Sequence, residues 1–441
     1  MLDLARIGGL LGECKPGHTL PQALYNSPDI HEFDRKAVFG STWLLAAFSC
    51  EIPAARNYLA LTLAGSPIVL TRGTDGVLRG FHNACRHRGA QVCADGPGRR
   101  ARLTCPYHQW VYDLDGTLVH ARNMQPGFDA ASHGLNPIHL REVAGVVFVC
   151  LAAEAPAFAR FEAELAPMLA PHDLENAKVA HTSTLVEKGN WKLVMENARE
   201  CYHCATGHPE LCLTFPIEDL GETMASAGNA HYGAFAAKMG DYGLGLGPYF
   251  GPWWQIERFP LKEGSQSLTI DGALAVAKLM VDTPADIGSL RWAIEPHVFC
   301  HSTADQTVMF SAMPTGPNET VVTCKWLVHK DAVEGVDYDV DRLIHLWTVT
   351  NLQDRDLVEM NQRGVNSIGY TPGPYNERDE AYVKRFTEWY LDTACRYVAA
   401  RAGFEPLPER MVRNDLDQLV PLALRDAAND AYSTYSGAGH L

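Results

Sequence analysis

The sequence predicts an α+β protein in which a small all-β block precedes a larger unit mixing strands with long helices. Two observations carry this. From Thr42 to Leu151, short β-branched and aromatic runs alternate with glycine-containing turns. Beyond residue 160, strand-like runs interleave with helical patterns but without a regular β-α-β alternation. The 441 residues are 46% hydrophobic and 20% charged, the balance of a globular chain long enough for two or three domains.

Residues 1–41 scatter Pro16, Pro21 and Pro28 through helical pattern and read as an N-terminal lead-in. The β block spans residues 42–160. Its strands include 58–63, 66–71 and 145–151, and its turns include Gly73-Thr74-Asp75-Gly76 and Asp113-Leu114-Asp115-Gly116. An Ala-, Glu- and Pro-rich stretch at 152–172 reads as a linker or short helix. The larger unit, residues 161–441, shows helices over 190–205 and 376–401 and strands over 307–312 and 320–326. Residues 402–441 read as a C-terminal extension packed on it.

A net charge of −15 leaves no basic surplus to neutralise phosphates, so no nucleic acid partner is expected. The longest apolar stretch, residues 143–153, is too short to span a bilayer, so no membrane is expected either. The N-terminus lacks the layout of a secretory signal. Twelve cysteines are too few for a disulfide scaffold, and a reducing, cytoplasmic location is expected.

The cysteines that matter sit beside histidines. Cys85-Arg86-His87 is followed, after seventeen intervening residues, by Cys105-Pro106-Tyr107-His108, giving C-x-H-x17-C-x2-H. Each half offers one thiolate and one imidazole on a tight loop. Two facing loops of this kind can give two thiolates to one iron and two imidazoles to the other, which raises the potential of a [2Fe–2S] cluster above that of an all-cysteine one. A Cys2His2 zinc site is the competing reading, but zinc fingers usually pair Cys with Cys and His with His. Pro106, Tyr107 and Trp110 fit a loop that shields such a cluster, although simple packing explains the aromatics equally well. Cys93 falls off the pattern and reads as a buried thiol.

A second constellation lies in 190–209, read as a helix stopped by Gly207 and Pro209, with His203 near its end and His208 just past it. Two histidines and a carboxylate make the facial triad that leaves positions open on iron(II). Asp354, placed at the start of a helix in Gln353-Asp354-Arg355-Asp356-Leu357-Val358-Glu359, is the best candidate, with Asp356 and Glu359 as competitors. Cys201-x-x-Cys204 spans His203 and lacks the context of a redox dithiol.

With both constellations in view, the chain resembles the α subunits of Rieske non-heme iron oxygenases along nearly all its length. The resemblance implies an all-β Rieske [2Fe–2S] domain followed by a helix-grip, START-like catalytic domain. It implies that Cys85 and Cys105 bind one cluster iron, that His87 and His108 bind the other, and that His203, His208 and Asp354 bind a mononuclear Fe(II). It further implies that Glu200, three residues before the first iron histidine, passes electrons between subunits of a homotrimer. Dioxygenases acting on rings such as naphthalene usually have Asp there. The strings Cys50-Glu51-Ile52-Pro53, Glu200-Cys201-Tyr202-His203-Cys204 and Asn361-Gln362-Arg363-Gly364-Val365 look instead like the glycine betaine and stachydrine demethylases and, more distantly, carnitine monooxygenase.

That branch implies oxidation by O2 of an N-methyl group on a small-molecule quaternary ammonium substrate. The alternative is C–H oxygenation of an aromatic or apolar one. No flavin, nicotinamide or four-cysteine ferredoxin motif is present, so a separate flavin- or ferredoxin-type NAD(P)H-dependent reductase is expected. A quaternary ammonium calls for an aromatic cage. The aromatic-dense run Tyr249-Phe250-Gly251-Pro252-Trp253-Trp254, with Tyr202, is where the sequence suggests one.

Overall fold

The computed structural model describes residues 2–217 and 228–401. The expected extension at 402–441 lies outside them. Helices α1 (Leu4–Gly12), α2 (Gln22–Asn26) and α3 (Pro28–Asp34) form the lead-in, and α3 runs into one π-helical turn, Arg35–Phe39. The β block holds ten strands: β1 (Trp43–Phe48), β2 (Asn57–Leu63), β3 (Ser66–Arg72), β4 (Leu78–His82), β5 (Gly96–Arg99), β6 (Leu103–Thr104), β7 (Val111–Tyr112), β8 (Leu118–His120), β9 (His139–Val143) and β10 (Val146–Cys150). They pair antiparallel in three small sheets, ordered β1-β10-β9, β4-β3-β2-β5 and β6-β7-β8.

Helix α4 (Ala159–Leu169) occupies the stretch read as a linker or short helix. Strand β11 (Ala177–Glu187) then opens a seven-stranded antiparallel sheet. It continues through β12 (Tyr249–Phe250), β13 (Trp254–Phe259), β14 (Ser289–Ile294), β15 (Val298–Ser302), β16 (Thr307–Gly316) and β17 (Glu319–His329), in the order β11-β17-β16-β15-β14-β13-β12. Among the described residues the helices that follow are α5 (Trp191–Asn197), α6 (Cys204–Gly207), α7 (Ala230–Asp241), α8 (Val340–Val365) and α9 (Ala381–Arg401).

Period-two alternation divides the large sheet. One face carries Trp254, Ile256, Leu290, Trp292, Cys300 and Met309, packed with Trp43 and Phe148 of the β1-β10-β9 sheet and with α4. The other carries Val308, Phe310, Cys324 and Trp326, packed under α8 and α5. Helix α8 is capped by the Asp339 side chain, which accepts from the Arg342 amide. Its buried residues Leu343, Leu346, Trp347, Thr350 and Val358 recur at helical spacing and seat it on the sheet. Asp354 therefore stands mid-helix, not at a helix start as the sequence suggested.

The 190–205 helix is also shorter than expected, since α5 ends at Asn197. The Glu200 carboxylate accepts from the Tyr202 and His203 amides, and this local side-chain bonding replaces the helical pattern. The lead-in belongs to the larger unit's core, because Ile7, Leu11 and Phe33 are buried with Tyr390 and Ala394 of α9. At its end, fully buried Asp34 accepts from Trp191 Nε1 (3.0 Å) and Tyr390 Oη (2.9 Å) and pairs with the Lys192 ammonium. Removing one partner of a buried pair costs about 3–5 kcal/mol. Asp34→Asn is thus expected to lower the thermal midpoint of the holoprotein clearly, and adding Lys192→Met should recover much of the loss. An unchanged midpoint in the single variant would show that the pair does not matter.

Candidate metal centres

The first centre rests on two turns of the same construction. Cys85 N–H donates to Ala90 O (2.8 Å) and Gly89 N–H to Cys85 O (2.8 Å). Cys105 N–H donates to Trp110 O (2.8 Å) and Gln109 N–H to Cys105 O (3.1 Å). Each turn closes through a left-handed residue, Gly89 at φ 77° and Gln109 at φ 60°. The turns bring the buried Cys85 and Cys105 thiols into contact. The half-buried His87 and His108 rings lie with centroids 4.6 Å apart. His87 is stacked on Trp110 at 5.0 Å, and its Nδ1 is buried without a hydrogen-bond partner among the described residues. Cys93 is buried, and burial pushes its thiol up to about 11.

Tyr112 Oη lies 3.2 Å from Cys85 Sγ and accepts from the Arg86 amide (3.0 Å), which leaves its own proton for the sulfur. Burial pushes the Cys85 thiol up, and this bond pulls it back toward the thiolate.

At the second centre three electron-pair donors converge. His203 Nε2 and His208 Nε2 are 2.9 Å apart, and Asp354 Oδ1 lies 3.4 Å from the first and 2.9 Å from the second. Despite this closeness, Asp354 Oδ1 makes no bond of hydrogen-bonding geometry among the described residues, so the three atoms face a common point. The outer ring nitrogens fix the tautomers: His203 Nδ1 donates to Glu200 Oε1, and His208 Nδ1 donates to Gln353 Oε1 (2.9 Å). In the neutral rings so oriented, both inner nitrogens carry the lone pairs that a metal takes. Burial lowers His203, but Asp354 and Glu200 outweigh it and raise the imidazole to about 9. Burial raises Asp354, and the two histidines bring it below the ordinary carboxylate range. Behind it, burial, then Asp354 and Glu359, push the Glu187 carboxyl up to about 8. Cys204, within 4.8 Å of both rings, forms a disulfide with Cys201, a pairing that the sequence reading had set aside.

A cavity of about 60 Å³ opens beside this triad. Its walls include Phe215, Phe299, Trp347, Arg291 and His301. None of residues 249–254, where a cage is expected, lines this cavity. Trp254 points to the opposite face of the sheet, donates from Nε1 to Glu164 Oε2 (2.7 Å) and packs on Phe161 at 5.4 Å. Tyr202 is exposed. The cavity's aromatics come from three separate segments, and no local density in the sequence marks them.

Residues 42–142 match the Rieske [2Fe-2S] domain family, and residues 174–394 match the ring hydroxylating alpha subunit (catalytic domain) family. The chain is 45% identical over 381 residues to the glycine betaine monooxygenase oxygenase subunit of Pseudomonas aeruginosa, covering 85% of this chain and 88% of that one. This chain belongs to the Rieske oxygenase α subunits. This Rieske oxygenase subunit is also 42% identical over 400 residues to the glycine betaine monooxygenase oxygenase subunit of Chromohalobacter salexigens, with 89% of each chain covered. Its fold is similar to that of a quaternary ammonium Rieske monooxygenase in complex with L-carnitine (TM-score 0.65, 22% identity, 88% and 98% covered). It is also similar to that of naphthalene 1,2-dioxygenase (TM-score 0.64, 17% identity, 96% and 97% covered). As in the family, its cofactors are a [2Fe–2S] cluster and a mononuclear iron. The two donor sets have the chemistry of those groups, two thiolates with two imidazoles and two imidazoles with a carboxylate. Among the described residues no helix is long and apolar enough to cross a membrane.

Hydrogen bonds to cluster sulfur stabilise the more negative, reduced state. Tyr112→Phe is therefore expected to shift the cluster potential downward by on the order of 50 mV, as one bond of about 1 kcal/mol implies for a one-electron couple. Potentiometric titration followed by EPR checks this, and an unchanged or raised potential would rule out the donor role.

Proposed function

We propose that this chain is the oxygenase component of a multicomponent N-demethylase that hydroxylates an N-methyl group of a glycine betaine-like quaternary ammonium compound. The observation that carries this reading is the 42–45% identity, across most of both chains, to glycine betaine monooxygenase oxygenase subunits. The cavity supports it, since one water needs roughly 10–15 Å³ on the same measure, and about 60 Å³ suits a small substrate better than a fused aromatic ring.

In this reading Cys85, His87, Cys105 and His108 hold the cluster, and His203, His208 and Asp354 hold the mononuclear iron. When bound, the two groups supply single electrons and a site for reducing dioxygen. The protein's part is placement. Glu200 and Gln353 hold the two imidazoles in the tautomer that directs Nε2 inward. The cavity walls hold the substrate with a methyl group toward the triad.

Dioxygen, two electrons and two protons convert the N-methyl group to N-hydroxymethyl and release one water. The hydroxymethyl C–N bond then breaks, its electrons remain on nitrogen, and formaldehyde, a proton and the tertiary amine leave. A separate reductase supplies the electrons, and a homotrimer places the cluster of one subunit beside the iron site of the next. Glu200 joins the two, a role supported by its bond to His203 Nδ1 and its partly exposed position.

The decisive experiment is an anaerobic single turnover. Chemically reduced protein mixed with oxygen and glycine betaine is expected to yield formaldehyde and dimethylglycine together. Neither product forming, with cluster spectrum and iron content intact, would overturn the substrate assignment. Glu200→Gln is expected to keep both metals while turnover drops to a small fraction of wild type. Undiminished turnover would remove Glu200 from the electron path.

A further inference from the structure

We propose that Arg291 is the specificity residue of this cavity: its guanidinium holds the carboxylate of a small trimethylammonium carboxylate, whose cationic head lies among Phe215, Phe299 and Trp347. The proposal rests on the quaternary ammonium reading above and adds a second requirement, that the substrate be a zwitterion.

The sheet register places Arg291 of β14 between Glu257 of β13 and His301 of β15, on the face that carries the cavity. Arg291 is buried. Among the described residues its Nη2 donates to Ala198 O at 3.0 Å. Nη1 stands 3.9 Å from Glu257 Oε1, too far for a hydrogen bond, and that oxygen already accepts from Gln255 Nε2 at 2.7 Å. Arg199 nearby differs, since Glu295 takes it from two nitrogens at 3.0 and 2.7 Å. A guanidinium carries five N–H donors, so Arg291 keeps donors for a planar two-oxygen ligand in the cavity it lines.

The other walls suit the other end of such a ligand. Phe299 stacks on Phe310 at 4.4 Å, Phe310 meets Trp347 edge-on at 4.9 Å, and Trp347 stacks on His301 at 5.2 Å. These contacts lock the rings against which a methylated ammonium can rest without a hydrogen bond. Burial, then Arg291, keep the His301 imidazole well below its usual range, so it adds no second positive charge.

The test is calorimetric binding to the holoprotein of glycine betaine, choline, which has the same head without the carboxylate, and 3,3-dimethylbutanoate, which has the carboxylate without the charged head. Wild type is expected to prefer glycine betaine to choline by about 30-fold or more, the lower range for loss of one partner of a buried charge pair. Arg291→Gln should abolish that preference by weakening glycine betaine while choline stays within about threefold. Arg291→Lys, which keeps the charge without the fork, should retain part of it and serves if the Gln variant loses its cluster absorbance.

Equal wild-type affinity for glycine betaine and choline, an intact preference in Arg291→Gln, or no binding of any of the three would overturn the proposal. Binding of dimethylbutanoate alone, lost in Arg291→Gln, would leave the anchor standing and sink the quaternary ammonium reading instead.

Discussion

A lysine ammonium in a protein interior is unfavourable unless an opposite charge and further hydrogen bonds meet it. Lys192 is met by Asp34, and the same carboxylate also gathers Trp191 and Tyr390. One buried group thereby joins the end of the lead-in, the first turn of α5 and the middle of α9. Helix α5 precedes the segment that carries Glu200, His203 and His208, so the direction in which that segment leaves the core is set here. Tyr25 adds a second tie from the lead-in, donating to Glu196 Oε1 at 2.8 Å. Burial pushes the Glu196 carboxyl up to about 7.

The same economy of means recurs at both metal centres. At the second centre two imidazoles are each aimed by a hydrogen bond on the far side of the ring. Glu200 does this for His203 and Gln353 for His208, whereas at the first centre Tyr112 directs its proton at Cys85 Sγ itself. Glu200 does more, since its second oxygen also closes the turn that ends α5. A residue that shapes the backbone and fixes a tautomer constrains its position twice over. That accounts for a glutamate, with its longer reach, in a turn that a shorter aspartate would close differently.

The legible parts of the molecule were those whose partners are close in sequence. Both Cys-His loops could be read because each carries its cysteine and histidine within four residues, and the strands could be read because alternation is a local signal. His203 and His208 were legible as a pair. The helix around them was overextended, because helical periodicity does not show that the Glu200 side chain captures the backbone amides after it. Asp354 does converge with the two histidines, but its polar neighbours resemble a helix start, whereas the cap is Asp339, fifteen residues earlier. The cavity was not legible. Trp253 and Trp254 drew attention by density, yet strand parity turns Trp254 to the other face. Phe299, Arg291 and Trp347 meet only through the sheet and α8, and Phe215 reaches them from the loop after His208.

Trp347 and Asp354 are seven residues apart on one unbroken helix, with Thr350 and Asn351 of the same cavity between them. Seven residues make almost two full turns and about 10.5 Å of rise, so both side chains fall on one stripe of a rigid rod. Helix α8 thus acts as a ruler that measures the cavity wall against the Asp354 carboxylate. Exchanges at its cavity positions can resize or repolarise the chamber while the carboxylate stays where it is. Inserting or deleting a single residue between the marks would turn Asp354 by about 100° around the axis. A lineage changing its diet can therefore rewrite the letters on this stretch, but it is not free to change their number.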